Sequence, residues 1–147
     1  MKPENTVPQS ASAGLPPAQT LTQTMTTELL TGLRPVRIDT TLSYCSRAPF
    51  TVGIAFHILG GDVTVWRVDR DMITAGAHTP TGGGDLHLRP TGGGKVLLRL
   101  GPPGDTATVL ADRDHLVEMV RQTYVLVPPG SESAHIDWQP FLDHLDG

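Results

Sequence analysis

The sequence has little of several residue types on which function often depends. Cys45 is the one cysteine among 147 residues, so neither an intramolecular disulfide nor a cysteine zinc site can form, and a reducing, cytoplasmic setting is indicated. Lys and Arg number 11 against 15 Asp and Glu, and aromatic residues make up only 5%. Nucleic-acid binders usually combine a basic surplus with aromatic stacking platforms, so this composition disfavours that class. Long apolar runs and a charged-then-apolar leader are also missing, so we expect neither a membrane span nor export.

Recognisable catalytic and metal-binding motifs are missing as well. No His-x-x-x-His pair occurs among the six histidines, and there is no Gly-x-Ser-x-Gly turn. A Ser-His-Asp arrangement is not excluded by this count, because such residues are neighbours in space and not in sequence. His57 and His87 lie on the polar faces of predicted strands, where they could meet across a sheet. The sequence predicts no catalytic, cofactor-binding or metal site, and a hydrolase or metal centre built on these two histidines is the alternative.

Glycine and proline are plentiful, at 16 and 13 residues. The run Pro-Thr-Gly-Gly-Gly occurs twice, at 80–84 and 90–94, and a lysine follows the second copy. A phosphate-binding loop needs a glycine five positions before Gly94, a Ser or Thr after the lysine, and a following helix. Arg89 and Val96 occupy those two positions and a strand is predicted to follow, which excludes that loop. Because glycine reaches positive φ without steric cost, we interpret the first copy as a helix-to-strand turn and the second as a hairpin loop.

Alternating hydrophobicity predicts most of the chain as short β-strands. The clearest strand covers residues 50–58, and five of its side chains should face inward: Phe50, Val52, Ile54, Phe56 and Ile58. A Gly-Gly turn at 60–61 then predicts a hairpin into the next strand. The other predicted strands cover residues 21–30, 40–44, 62–68, 85–89, 95–100 and 106–111.

Three helices are predicted by a change of period and by capping residues. Asp69 can cap a short helix over 70–76, and Asp112 can cap a longer one over 113–126 that a Val-Pro-Pro-Gly run ends. Asp137 can cap a final short helix. The apolar faces of the three helices contain Met72, Ile73, Leu116, Met119, Val120, Trp138, Phe141, Leu142 and Leu145. Cys45 is expected to be a small buried thiol, and Trp66 and Trp138 to be core or interface residues.

These elements together predict an α+β domain of antiparallel strands with helices packed on one side. Residues 1–19 are dominated by Pro, Ser, Ala, Gln and Gly, so we expect a disordered tail there. Residues 20–147 are then expected to form a single domain with one core.

Three segments of this domain carry five short motifs in a fixed order. The segments are LSYCSRAPFTVGIAFH (42–57), VTVWRVDRDMITAGAHTPTGGGDLHLRP (63–90) and VPPGSE (127–132). In this order, the motifs resemble those of the SsgA-like family of actinomycete sporulation and cell-division regulators, over roughly residues 21–145. The matching positions, which we expect to be structural, are Phe56, His57, Trp66, Arg70, Gly76, Pro80, Gly82, Gly84, Asp85, Pro128, Pro129 and Gly130.

The resemblance implies a fold and a mode of action. The implied fold has two antiparallel sheets, a short mid-chain helix and two C-terminal helices, in a Whirly-like, bell-shaped homotrimer. The implied action is non-enzymatic and needs no cofactor: a scaffold that controls septum placement or septation through FtsZ, the tubulin-like division protein, or through sister family members. The resemblance places such a protein in the cytoplasm at the division septum, with at most peripheral membrane association. By fold analogy alone, a single-stranded nucleic-acid-binding regulator is the alternative.

Overall fold

The computed structural model describes residues 14–146 as an antiparallel sheet covered by helices, which confirms the α+β class. The strands are β1 (Thr20–Leu30), β2 (Val36–Cys45), β3 (Thr51–His57), β4 (Val63–Asp69), β5 (Thr81–Gly83), β6 (Leu86–Pro90), β7 (Lys95–Leu100) and β8 (Ala107–Asp112). The helices are α1 (Arg70–Gly76), α2 (Arg113–Leu126) and α3 (Gln139–Asp146), with a 3-10 helix at Glu132–His135 between the last two. The predicted tail falls largely on residues outside this range.

The eight strands form one sheet in the order β4-β3-β2-β1-β8-β7-β6-β5, and every neighbouring pair is antiparallel. The two implied sheets are therefore corrected to two four-stranded halves of a single sheet. The halves are joined where Glu28, Leu29 and Leu30 of β1 face Leu110, Val109 and Thr108 of β8. We call these three residue pairs the seam. The sequence did not predict the seam, because pairing between two strands that are far apart in the chain does not change the local pattern of hydrophobic residues.

The core lies on one face of the sheet, as period-two alternation requires. On β3, Val52, Ile54 and Phe56 are buried, as predicted. The same prediction was wrong for Phe50 and Ile58, which are 45% and 36% exposed. Both lie just outside β3, where the chain is already turning and strand alternation no longer sets the direction of a side chain.

Helix α2 separates the two halves beyond the seam. β1 pairs with β2 over almost its whole length but with β8 only near its own end, so the two central strands diverge. The α2 helix follows β8 directly and buries Leu116, Met119 and Val120 over this gap, as its period predicted. Its predicted cap is confirmed, since the Asp112 carboxylate accepts a hydrogen bond from the His115 backbone N–H at 3.0 Å.

The α1 helix packs closely on β6 through a glycine. A Cβ atom added to Gly76 would lie 2.5 Å from the Leu88 Cβ, so a larger residue cannot occupy the position without movement. The Asp69 cap predicted for this helix is confirmed, because its side chain accepts from the Asp71 backbone N–H at 2.8 Å. Ile73 is buried and Met72 is half-buried, which confirms only part of the expected inward face.

The two Pro-Thr-Gly-Gly-Gly runs have different structures. The second is the predicted loop between β6 and β7. The first contains β5 itself, at the edge of the sheet, so the predicted simple turn is corrected to a short strand that pairs with β6. Glycine-rich segments have low strand propensity, and here the pairing with β6 overrides that preference. Cys45 is half-buried and not fully buried as expected.

Candidate protein-interaction site

Arg70 is the centre of a buried polar network that joins α1 to α2. Its side chain is 1% exposed, and its guanidinium carbon lies 4.6 Å from the centre of the Tyr124 ring. One terminal nitrogen donates to the Thr123 carbonyl at 3.1 Å, and the other donates to Glu132 Oε2 at 2.8 Å. The network therefore fixes α1, the end of α2 and the following 3-10 helix to one another.

Glu132 and Tyr44 complete this network. The hydrogen bond from Arg70, with backbone donors that include the Gly130 N–H at 2.9 Å, lowers the pKa of the Glu132 carboxyl. Burial raises the pKa of the Tyr44 phenol, whose hydroxyl donates to the Pro49 carbonyl at 2.9 Å. The lowered pKa keeps the Glu132 carboxylate ionised beside the buried Arg70 guanidinium, so the ion pair between them is maintained.

Apart from His57, the family-like positions fall into three groups in space. Arg70 lies in the buried network, and the exposed Pro128, Pro129 and Gly130 belong to the loop that precedes Glu132. Gly76, Pro80, Gly82, Gly84 and Asp85 lie around the β5–β6 hairpin. Phe56 is buried and Trp66 is half-buried, and the two line a common cleft.

The two histidines proposed as partners do not meet. His57 is on β3 and His87 is on β6, and four strands of the sheet lie between them. His57 Nε2 is 3.0 Å from the Thr41 hydroxyl, and His87 Nε2 is 3.1 Å from the Gly84 carbonyl. In the part of the chain that the structure describes, no three His, Cys, Asp or Glu side chains gather in a way that could hold a metal ion. The interpretation of these histidines as a joint catalytic or metal centre is therefore wrong.

An apolar cleft opens on the core face at the end of the sheet away from α2. It has a volume of about 330 Å³ and extends from the β3–β4 end of one half, across the seam, to the β7–β8 turn of the other. We call it the seam cleft; its lining residues are Leu29, Ile38, Phe56, Ile58, Thr64, Trp66, Leu100, Gly101, Asp105, Thr106, Ala107 and Val109. It exists because α2 fills the space between the halves only beyond the end of β8, and nothing in residues 14–146 fills the space at the start of β8.

The seam cleft has the character of a binding site for an apolar side chain. Its walls are mainly aliphatic and aromatic, with a few polar groups at the β7–β8 turn, as in many ligand and partner pockets. The half-buried Trp66 is the type of residue that contributes most to protein interfaces. Sequence reasoning singled out Phe56 and Trp66 but missed the β7–β8 side, because no local pattern indicates that Asp105 and Thr106 lie opposite Trp66.

A second apolar surface is the outward face of α3. The apolar residues predicted for this face are exposed. The exposed fractions are 47% for Trp138, which lies just before the helix, and 55%, 47% and 64% for Phe141, Leu142 and Leu145. The Asp137 cap is present, since its carboxylate accepts from the Gln139 N–H at 3.0 Å. The helix is therefore well formed but leaves its hydrophobic stripe largely uncovered, which is typical of interaction surfaces. Across residues 14–146, no helix is both long enough and apolar enough to cross a membrane.

The chain is similar in sequence to proteins of cell division. Residues 38–132 match the family model described as "Streptomyces sporulation and cell division protein, SsgA". The sporulation-specific cell division protein SsgB of Salinispora tropica is 34% identical over 132 residues, which are 82% of this chain and 92% of that protein. SsgB of Streptomyces coelicolor is 33% identical over 107 residues, 71% of this chain and 78% of that protein.

Solved structures of such proteins have a similar fold. An SsgA-like sporulation-specific cell division protein from Thermobifida fusca superposes with a TM-score of 0.78 at 29% identity, over 87% of this chain and 96% of that one. A structure from work that correlates SsgB mutations with longitudinal cell division during sporulation of Streptomyces coelicolor gives a TM-score of 0.75 at 26% identity. That match covers 81% of this chain and 97% of the other.

Proposed function

The chain belongs to the SsgA family of sporulation and cell division proteins, and from this premise we propose that it acts in sporulation-specific division as a non-enzymatic scaffold. The observation that carries the proposal is the similarity to proteins named for that role, which extends over most of this chain and most of the relative. In this proposal the protein controls septum placement or septation by holding partner proteins.

The seam cleft supports action by binding. It is open, apolar and formed by the two halves of one sheet, so it can bind an apolar side chain of a partner without any chemical reaction. Hot-spot contacts in protein complexes are usually such pockets filled by an apolar anchor. We propose FtsZ or a sister SsgA-like protein as the partner, in the cytoplasm at the division septum and with at most peripheral contact with the membrane.

We further propose that the protein is a homotrimer with a Whirly-like, bell-shaped form. The exposed stripe on α3 supports association, because large apolar side chains on a single chain tend to be covered in an assembly. A closed ring that covers the β4 edge would also limit the exposure of sheet edges. Light scattering at micromolar protein concentration should give the mass of three chains, and a monomer mass would contradict this part of the proposal.

The cellular role is tested by deletion and imaging in the sporulating actinomycete that encodes the protein. Loss of the gene should disturb septation or spore maturation, and a fluorescent fusion should collect at septation sites. The fusion must restore the deletion strain, so that its location reports the functional protein. Diffuse fluorescence together with normal spore chains in the deletion strain would contradict the proposal.

A further inference from the structure

Three cationic or potentially cationic side chains cluster on the outer face of β6 and β7. His87 and Arg99 are directly opposite each other in the register, and Arg89 is on the same face of β6. Arg89 and Arg99 are exposed and alternate with the buried Leu88 and Leu98, which directs them away from the core. All three line one groove of about 290 Å³, which we call the edge groove.

No carboxylate in the described part of the chain forms an ion pair with the arginines of this groove. The ion pairs found within residues 14–146 involve neither Arg89 nor Arg99. This is notable in a chain with a net charge of −4, in which acidic partners outnumber basic residues. The edge groove therefore has an unbalanced positive charge on an otherwise acidic protein, and an anionic group would be attracted to it.

The edge groove is open because a glycine forms part of it. Gly82 of β5 pairs with His87 of β6, which in turn pairs with Arg99 of β7. Because Gly82 has no side chain, the space beside His87 at the sheet edge is open. The position requires glycine, since its φ is +146° and an added Cβ would lie 2.4 Å from the Leu86 carbonyl oxygen. The His87 ring is held in place, because its Nε2 must donate to the Gly84 carbonyl, which can only accept.

The strand beside the groove is also free to pair. Among the strands of residues 14–146, β5 is the last of the sheet and has no hydrogen-bonded neighbour on its outer side. Gly82 and Gly83 are exposed, and neither presents a side chain that would hinder an approaching backbone. An extended segment can therefore add to this edge and place one side chain in the space above Gly82.

We propose that the edge groove binds an extended acidic segment of a partner protein. Its backbone pairs with β5, and an Asp or Glu side chain lies above Gly82 and forms charge-assisted contacts with Arg89 and Arg99. The proposal deepens the proposed function by naming a surface and the chemistry of a partner. It is tested by binding in vitro, so its failure leaves the cellular test of division untouched, and the reverse also holds.

Peptide is favoured over nucleic acid by the composition of the groove. Its lining is Pro80, Thr81, Gly82, His87, Leu88, Arg89, Leu97 and Arg99, with neither Phe, Tyr nor Trp to stack a base. The groove is short, and the net charge of −4 would repel a long polyanion. An open strand edge presents backbone N–H and C=O groups that another extended backbone can pair with.

The test uses fluorescein-labelled peptides and fluorescence anisotropy with the full-length protein. A short alternating Asp-Val peptide should bind, and the Asn-Val peptide of equal length should bind more weakly by about three- to tenfold. The double variant R89Q/R99Q should lose the same factor for the Asp-Val peptide. R67Q is the matched control, because Arg67 is also an exposed arginine but lies on β4, at the opposite edge of the sheet.

A peptide methylated on alternate backbone nitrogens separates strand pairing from simple charge attraction. It keeps the carboxylates but cannot form the full set of backbone hydrogen bonds, so its binding should fall to that of the Asn-Val peptide or below. Equal binding of the Asp-Val and Asn-Val peptides, or unchanged binding by R89Q/R99Q, would overturn the proposal. Stronger binding of oligothymidylate than of the Asp-Val peptide would overturn the proposal in favour of nucleic acid. Full competition by inorganic phosphate alone would overturn it by showing that the groove binds only a small anion.

Discussion

The guanidinium of Arg70 and the carboxylate of Glu132 lie 2.8 Å apart, with side chains 1% and 11% exposed, although they are 62 positions apart in the sequence. Arg70 begins α1 and Glu132 begins the 3-10 helix that follows α2. The pair connects two helical segments that are far apart in the sequence. Its loss should therefore affect the relative position of the helices more than the sheet.

Replacement of Arg70 by Met should destabilise the protein strongly. It removes a fully buried cation together with its contacts to Thr123, Tyr124 and Glu132. Removal of one partner from a buried ionic network typically costs about 3 kcal/mol, and we expect a decrease of that size in the free energy of unfolding in urea. R70K should recover only part of the lost stability, since the lysine ammonium group lacks the planar, multiply donating geometry of the guanidinium. R67M, at an exposed arginine, should stay within about 0.5 kcal/mol of the wild type.

Stability should decrease in acid because of Glu132. Its pKa in the folded protein is below the ordinary value of 4.5, so the ionised form stabilises the fold at pH values above 4.5. That contribution should be lost as the pH falls from 4.5 through the lowered folded-state pKa. E132Q, which cannot ionise, should unfold with a smaller pH dependence in this range. Identical acid-unfolding profiles of E132Q and wild type would show that the coupling is absent.

Gly76 should not tolerate alanine, although alanine is the better helix former. Helix propensity favours the substitution by up to about 1 kcal/mol, but the new methyl group would meet Leu88 Cβ at 2.5 Å. Overpacking of this kind costs about 1–3 kcal/mol, so we expect a net loss in urea denaturation. Because the atom that is met is the Leu88 Cβ, which alanine would keep, the steric cost should disappear in the background of L88G, giving a positive coupling in a double-mutant cycle. G93A, where no atom lies within 4 Å, is the matched control and should be nearly neutral.

A charge in the seam cleft should abolish septation without unfolding the protein. Ile58 lines the cleft but is 36% exposed, so I58D should change the melting temperature little. An aspartate there would oppose an apolar partner side chain, and spore-chain septation in a complemented deletion strain should fail. V125D is the control, because Val125 is 68% exposed on α2 and does not line the cleft. Normal septation with I58D would remove the cleft from the proposed function.

Local sequence patterns predicted most of the helices and strands but not the surfaces that form between them. The α2 helix and its Asp112 cap follow from a period change and one capping residue, and both are confirmed. β5 was missed because its glycines carry no strand preference, and only pairing with β6 makes it a strand. The two surfaces discussed above depend on residues brought together by the sheet order, such as Trp66 with Asp105, and no periodicity records that order.

The seam between β1 and β8 has a consequence for how the protein is made. β1 leaves the ribosome before the other seven strands. Its partner on one side, Leu110 of β8, leaves only after the three other strands of its half, α1, β5, β6 and β7. During most of synthesis one side of β1 is therefore an open edge near apolar residues, a situation that favours association with other unfinished chains. Closure of the sheet, burial of the core and formation of the seam cleft must all follow synthesis of the last strand. A ribosome-bound chain that ends before Leu110 should consequently remain sensitive to protease.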